Sequence, residues 1–260
     1  MPLPGHVYLI GAGPGDPELL TLKAARILQS ANVVLHDSLV SAEVLALIPA
    51  SAERIDVGKR AGFRLLTQDD INSLLVDAAC KYETVVRLKG GDPLLFGRAA
   101  EEIQALRQHN IPVDIIPGIS AAFASAAAAQ ISLTDRRVAS RVLFTTFSRS
   151  VDARLFSGVD LSPDTTVVVY MPGPDYAEVS RWLLDANLVP DTPVQVVSKA
   201  SRPDQLAQTT TIAALASLAP LPAPALLIVG RVVTQATGHA GAINWLAQQS
   251  SEKVLQNRIS

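Results

Sequence analysis

The feature that most constrains this fold is a regular alternation of short β-branched runs with helical patterns over the first 118 residues. Val7–Ile10, Asn32–Asp37, Arg54–Val57, Thr84–Leu88 and Val113–Ile116 read as strands, and segments with apolar residues three and four apart fill most of the intervals. Parallel neighbours need a long crossover, usually a helix, so this rhythm predicts a parallel α/β sheet. Composition agrees: the chain is 48% hydrophobic but only 5% aromatic, which suits aliphatic packing on a covered sheet. Beyond an alanine-rich helix at Ser120–Gln130 the spacing changes. Val142–Thr146, Thr166–Met171, Val194–Ser198, Gln208–Ile212 and Ala225–Val233 read as strands, the fourth as an edge and the last as central, with a helix at Ala177–Leu188 and a proline-rich loop at Ala219–Pro224. With 260 residues the expectation is two α/β domains, residues 1–118 and 119–240, and a polar tail at 241–260.

The sharpest punctuation lies where strands end. Gly11-Ala12-Gly13-Pro14-Gly15-Asp16 follows the first strand, and Gly90-Gly91-Asp92-Pro93 follows the fourth. Glycine pairs at strand exits let backbone approach a ligand closely. Asp16 and Asp92, each followed by proline, are expected to cap helices that begin at the proline, and Thr67 to cap another. The first glycine run invites a dinucleotide reading, with Asp37 where a ribose-binding acid would stand. Yet Asp16 replaces the last glycine and Pro14 removes an N–H, so a pyrophosphate is disfavoured. A cationic or zwitterionic ligand tolerates Asp16 and Asp92 better.

A formal charge of −2 argues against nucleic acid as the main partner. The cations instead gather in turns: Lys59-Arg60 with Arg64, Arg87 with Lys89, Arg98, Arg136-Arg137 with Arg141, and Arg149. Each alone reads as a solvated side chain. Several together at strand exits point to a substrate with many carboxylates or phosphates. The four histidines lack ligand spacing, so no metal is expected, and the single cysteine, Cys80, reads as a packed thiol within an apolar helix. A start without a basic and apolar leader, no long apolar span and no cysteine pair together predict a cytoplasmic protein away from the membrane.

Residues 6–234 resemble the tetrapyrrole methyltransferases. The resemblance is carried by Gly11–Pro17, His36-Asp37-Ser38-Leu39-Val40-Ser41, Gly58-Lys59-Arg60-Ala61-Gly62, Arg87–Pro93 through Gly97-Arg98, Pro117–Ala121, Val169-Tyr170-Met171 and Pro224–Gly230. It implies two α/β domains with the active site in the cleft between them, and a homodimer. It implies S-adenosylmethionine, leaving as S-adenosylhomocysteine, held by Pro14, Gly90, Gly91, Asp92, Leu95, Ser120, Ala121, Met171, Ala200 and Ala225. Asp37, Lys59 and Arg98 are the implied catalytic residues, with Asp37 and Lys59 handling protons. Arg98, Glu101 and Arg136 are the implied substrate contacts. The implied reaction is C-methylation of uroporphyrinogen III, whose eight carboxylates match the arginine clusters; the alternatives are another corrinoid precursor or a degenerate binder of S-adenosylmethionine. This chain departs from the family pattern at Ala99-Ala100, Asp135, Thr146-Phe147 and Ala200-Ser201. The contact that an imidazole at position 147 would make is expected to come from neighbouring Ser148 or Arg149, of which the Arg149 guanidinium is the closer substitute as a carboxylate donor.

Overall fold

The computed structural model describes residues 4–58, 66–147 and 161–236. The chain divides into two compact units, residues 1–121 and 122–260.

The first unit is built on β1 (His6–Gly11), β2 (Val33–His36), β3 (Glu53–Asp56), β4 (Thr84–Lys89) and β5 (Val113–Ile116). They run parallel in the order β3-β2-β4-β1-β5, so the glycine-rich exits of β1 and β4 are neighbours. Helices α1 (Leu22–Gln29), α2 (Ala42–Leu45), α3 (Gln68–Lys81) and α4 (Ala99–Gln108) fall between the strands. Central β4 is buried on both faces, and its alternation divides the core. Val85 packs with Ile71, Leu75 and Leu106 on one side, while Val86 and Leu88 pack with Ala24, Leu28, Val34 and Val44 on the other. Thr67 and Asp70 form a reciprocal capping box at the start of α3, satisfying two otherwise orphan N–H groups.

Both proline-led helix starts need correction. Asp16 caps only one turn of 3-10 helix, Pro17–Leu19; the chain re-extends at Leu20, and α1 is capped by Thr21. After Asp92 there is no helix until Ala99, because the Asp92 carboxylate is shared between its own turn and the loop after β5, and Arg98 enters α4 in the left-handed conformation at φ 54. Cys80 is also corrected. It is exposed, since α3 buries Ile71, Leu75, Ala78 and Ala79 and turns position 80 outward.

In the second unit, following α5 (Ala121–Ala128), β6 (Arg141–Thr146), β7 (Thr165–Tyr170), β8 (Pro193–Ser198), β9 (Leu206–Thr211) and β10 (Ala225–Val229) form a sheet in the order β6-β7-β10-β8-β9. Only β6 and β7 are parallel; the other pairings are antiparallel. β9 is the expected edge and β10 the expected centre. The expected strand to Val233 instead stops at Val229, where Gly230 at φ 137 turns the chain into α8 (Val232–Ala236). Helices α6 (Tyr176–Asp185) and α7 (Ile212–Leu215) cover a core of Val167, Val169, Val179, Leu183, Val194 and Leu227. The tail expected at 241–260 lies outside the described residues.

Candidate active site

In the first unit three loops converge at the carboxyl ends of β1, β4 and β5. Gly13 and Gly91 bridge through N–H to carbonyl bonds of 3.2 and 2.8 Å in the two directions. A Cβ on Gly11 would lie 2.6 Å from the Gly118 Cα, so the backbones of the β1 and β5 loops touch directly. Asp92 ties the third loop in: one carboxylate oxygen accepts from Leu94 N at 2.9 Å, the other from Gly118 N at 3.0 Å. Gly91 sits at φ 68, and a Cβ there would find only Ala121 N and Ser120 Cα, at 3.8 and 3.9 Å. Among the expected cofactor residues, Gly91, Asp92, Ser120 and Ala121 are thus brought together, with Pro14 following the bridged Gly13 and Leu95 closing the Asp92 turn through its N–H to the Asp92 carbonyl. Gly90 faces elsewhere: its Cβ would meet Leu39 Cβ at 3.1 Å.

Behind this surface lies a buried charge network. Arg87 and Lys89 occupy alternate positions of β4, on the same face as Val85, so they point toward α4. There Ala99, Glu102 and Leu106 form the buried stripe. Glu102 Oε1 accepts from Arg87 Nε at 2.9 Å and from Lys89 Nζ at 3.0 Å; its Oε2 has no partner among the described residues. The Arg87 guanidinium also donates to the Asp37 carboxylate just beyond β2, and through Nη1 to the carbonyls of Leu88 at 3.3 Å and Leu35 at 3.5 Å. Burial works to lower the Arg87 pKa, but the charges and hydrogen bonds of Asp37 and Glu102 outweigh it, and the net direction is upward. Burial, then repulsion from Arg87, push the Lys89 ammonium below the ordinary lysine range, offset in part by Glu102 and Asp37. The sequence reading treated Arg87 and Lys89 as solvated cations open to substrate; they are 2% and 4% exposed and already paired. It missed Glu102, whose signal was an acid on the apolar stripe of a helix beside a strand with alternate cations.

The expected substrate contacts are open to solvent. Arg98 and Glu101 form a bidentate pair, Nε to Oε1 at 2.8 Å and Nη2 to Oε2 at 2.7 Å. That hydrogen bonding, more than anything else, raises the Arg98 pKa and lowers that of Glu101. In the second unit Arg136 is exposed and has no ion pair among the described residues, while its neighbour Arg137 forks onto Asp135 and holds that carboxyl down at about 2. The Asp135 departure is therefore a neutralised charge.

Also in the second unit, the expected cofactor residues Met171, Ala200 and Ala225 meet at one end of the sheet. Leu226 pairs with Tyr170 and Ala225 with Ser198, so the residues just past β7 and β8 flank the start of β10. Met171, Lys199 and Ser201 all have φ near 50–65° there, a cost that tight turns at ligand-facing ends often carry. Phe147 leaves β6 at this end, but its ring packs 6.0 Å from that of Trp182 and against the sheet core. Lys59, Arg60, Ser148 and Arg149 lie outside the described residues. Gly58 itself abuts the Asp37 loop: a Cβ there would lie 2.3 Å from Ser38 N.

Residues 6–216 match the model of the Tetrapyrrole (Corrin/Porphyrin) Methylases, and the chain belongs to that family. It is 48% identical to the uroporphyrinogen-III C-methyltransferase of Paracoccus denitrificans, over 89% of this chain and 83% of that one. It is 45% identical to a siroheme synthase of a Psychrobacter species over 88% of this chain, and spans about half of that longer protein, 48%. Among solved structures, the uroporphyrin-III C-methyltransferase of Thermus thermophilus complexed with S-adenosylhomocysteine superposes with a TM-score of 0.77 at 39% identity, covering 89% of this chain and all of that one. The two sheets are thus those of the family fold.

Proposed function

We propose that this chain is an S-adenosylmethionine-dependent methyltransferase that converts uroporphyrinogen III to precorrin-2, the dimethylated precursor of sirohaem and cobalamin. The carrying observation is the glycine bridge of the first unit: Gly13 and Gly91 lock two strand exits together and leave a Cβ-sized gap facing Ser120 and Ala121. A bulky ligand can rest there on backbone, and the Thermus relative with this fold was solved with S-adenosylhomocysteine. S-adenosylmethionine, when bound, supplies an electrophilic methyl group on a sulfonium.

The chain's own work is to hold, orient and dry the reactants. Pro14, Gly91, Asp92, Leu95, Ser120 and Ala121 would hold the cofactor in the first unit; Gly90, against Leu39, supports the turn. Met171, Ala200 and Ala225 are the candidates of the second unit. Arg98, oriented by Glu101, would exchange part of that exposed pairing for a substrate carboxylate, and the exposed Arg136 would offer a second guanidinium. Once a ring carbon has gained its methyl, a proton must leave to restore conjugation. Asp37 is the acceptor best supported here, being a carboxylate held at a strand exit and 28% exposed. Lys59 is the second proton-handling candidate. A cytoplasmic homodimer working without metal completes the proposal, supported by the resemblance.

Purified protein with uroporphyrinogen III and S-adenosylmethionine under reducing conditions is expected to yield a product two methyl groups heavier. Methylation of only a different corrinoid precursor overturns the substrate, and binding of S-adenosylmethionine without any turnover overturns the activity.

A further inference from the structure

We infer that Arg87, anchored from behind by Glu102, is a positioning residue that aims the Asp37 carboxylate. This rests on the proton-accepting role proposed for Asp37. Three observations carry it. First, the guanidinium is held on every side: by Glu102 at Nε, by the Leu35 and Leu88 carbonyls at Nη1, and by Asp37 at Nη2. A planar fork fixed this way dictates where its last partner points, which a lysine ammonium on a flexible stem cannot do. Second, exposure is graded along the network: Glu102 0%, Arg87 2% and Asp37 28%. Only the outermost carboxylate reaches solvent, and everything behind it is braced. Third, the Asp37 backbone is independently tethered, its N–H donating to the Leu88 carbonyl at 3.2 Å and its carbonyl accepting from Val40 N at 3.2 Å. The side-chain torsions are then the freedom that Arg87 removes. Buried ion pairs are weak devices for stability, since desolvation offsets most of their attraction. Precise placement of a proton acceptor is a stronger reason to bury the three charges behind it, Arg87, Lys89 and Glu102, because a displacement of about 1 Å can cost about a hundredfold in rate.

The test compares Asp37→Asn, Arg87→Lys, Glu102→Gln, the Asp37→Asn/Arg87→Lys double variant and, as its fallback, Asp37→Asn/Glu102→Gln, all in the full chain. It measures kcat and KM for uroporphyrinogen III, S-adenosylmethionine affinity by calorimetry, and folding by circular dichroism. Asp37→Asn should lower kcat by about a hundredfold or more. Arg87→Lys should lower it by about tenfold to a hundredfold, with KM and cofactor affinity unchanged. The double variant should fall no further than Asp37→Asn alone, because Arg87 acts only through that carboxylate. Should Arg87→Lys not fold, Glu102→Gln, which keeps volume and the guanidinium, should show a smaller loss of kcat that also vanishes in the Asp37→Asn background. Losses that multiply in full, or an Arg87→Lys protein with wild-type kcat, overturn the inference while sparing the proposed function. An Asp37→Asn protein with full turnover overturns the Asp37 assignment and this inference with it, and a wild type without turnover overturns both along with the function.

Discussion

Two glycines a few ångströms apart at the strand exits should respond very differently to the same added methyl group. At Gly91 the backbone sits at φ 68, where an L-residue pays about 1–2 kcal/mol, but the new Cβ would meet nothing closer than 3.8 Å. Gly91→Ala should therefore fold, with stability lowered by about 1–2 kcal/mol. At Gly11 the Cβ would fall 2.6 Å from the Gly118 Cα, the Gly118 N and the Gly91 carbonyl oxygen, all backbone atoms. Those loops must part, so Gly11→Ala should cost about 3 kcal/mol or more and disturb the whole convergence of loops. The proposed cofactor site reverses the order of interest: the methyl of Gly91→Ala fills the gap facing Ser120 and Ala121, weakening S-adenosylmethionine binding by about 1–3 kcal/mol, roughly 5- to 150-fold in Kd. Urea unfolding and isothermal calorimetry on the two variants read both quantities. A Gly91→Ala protein with wild-type cofactor affinity, or a Gly11→Ala protein more stable than Gly91→Ala, would refute the reasoning. Valine at position 91 is the poorer probe, since a β-branched residue at positive φ adds strain of its own.

Arg98→Ala should leave folding and cofactor affinity nearly unchanged, because its pair with Glu101 is exposed, yet lower kcat/KM for the tetrapyrrole by about 10- to 100-fold through loss of a charged hydrogen bond; an equal loss of cofactor affinity would move Arg98 out of the substrate role. The Asp135 carboxyl should titrate by NMR at about 2, returning toward 3.8 in Arg137→Ala. Its folded-state pKa is depressed, so whatever the pair adds to stability is present above the unfolded value and lost as pH falls through about 2; an unshifted titration would mean that the pair does not form. Phe147→His should lower stability by about 1–2 kcal/mol and leave turnover no higher, because the ring belongs to the packing around Trp182; a gain in turnover would show that the phenylalanine had replaced a working imidazole.

Strand positions were legible because their signal is local: Val113–Ile116 needs only its own four residues, and the crossover rule then makes the first sheet parallel. The glycines at strand exits were legible too, since few residue types tolerate such approaches. The helices expected after Asp16-Pro17 and Asp92-Pro93 failed on competition from elsewhere. Thr21 offered the better cap, and the Asp92 carboxylate was claimed by Gly118 N, 26 residues away.

By itself, then, the sequence determined the alternation, the parallel first sheet, the family and the places where backbone could meet a ligand, all set by residues adjacent in the chain. Only the tertiary structure decided which charges are spent inside the protein. Arg87 meets Asp37 across 50 residues and Glu102 across 15, a pairing that exists only once β2, β4 and α4 are packed. Charge alone could not separate these buried cations from the exposed Arg98 and Arg136, because composition records a charge without its surroundings, and surroundings fix whether it is solvated, paired or open to a substrate.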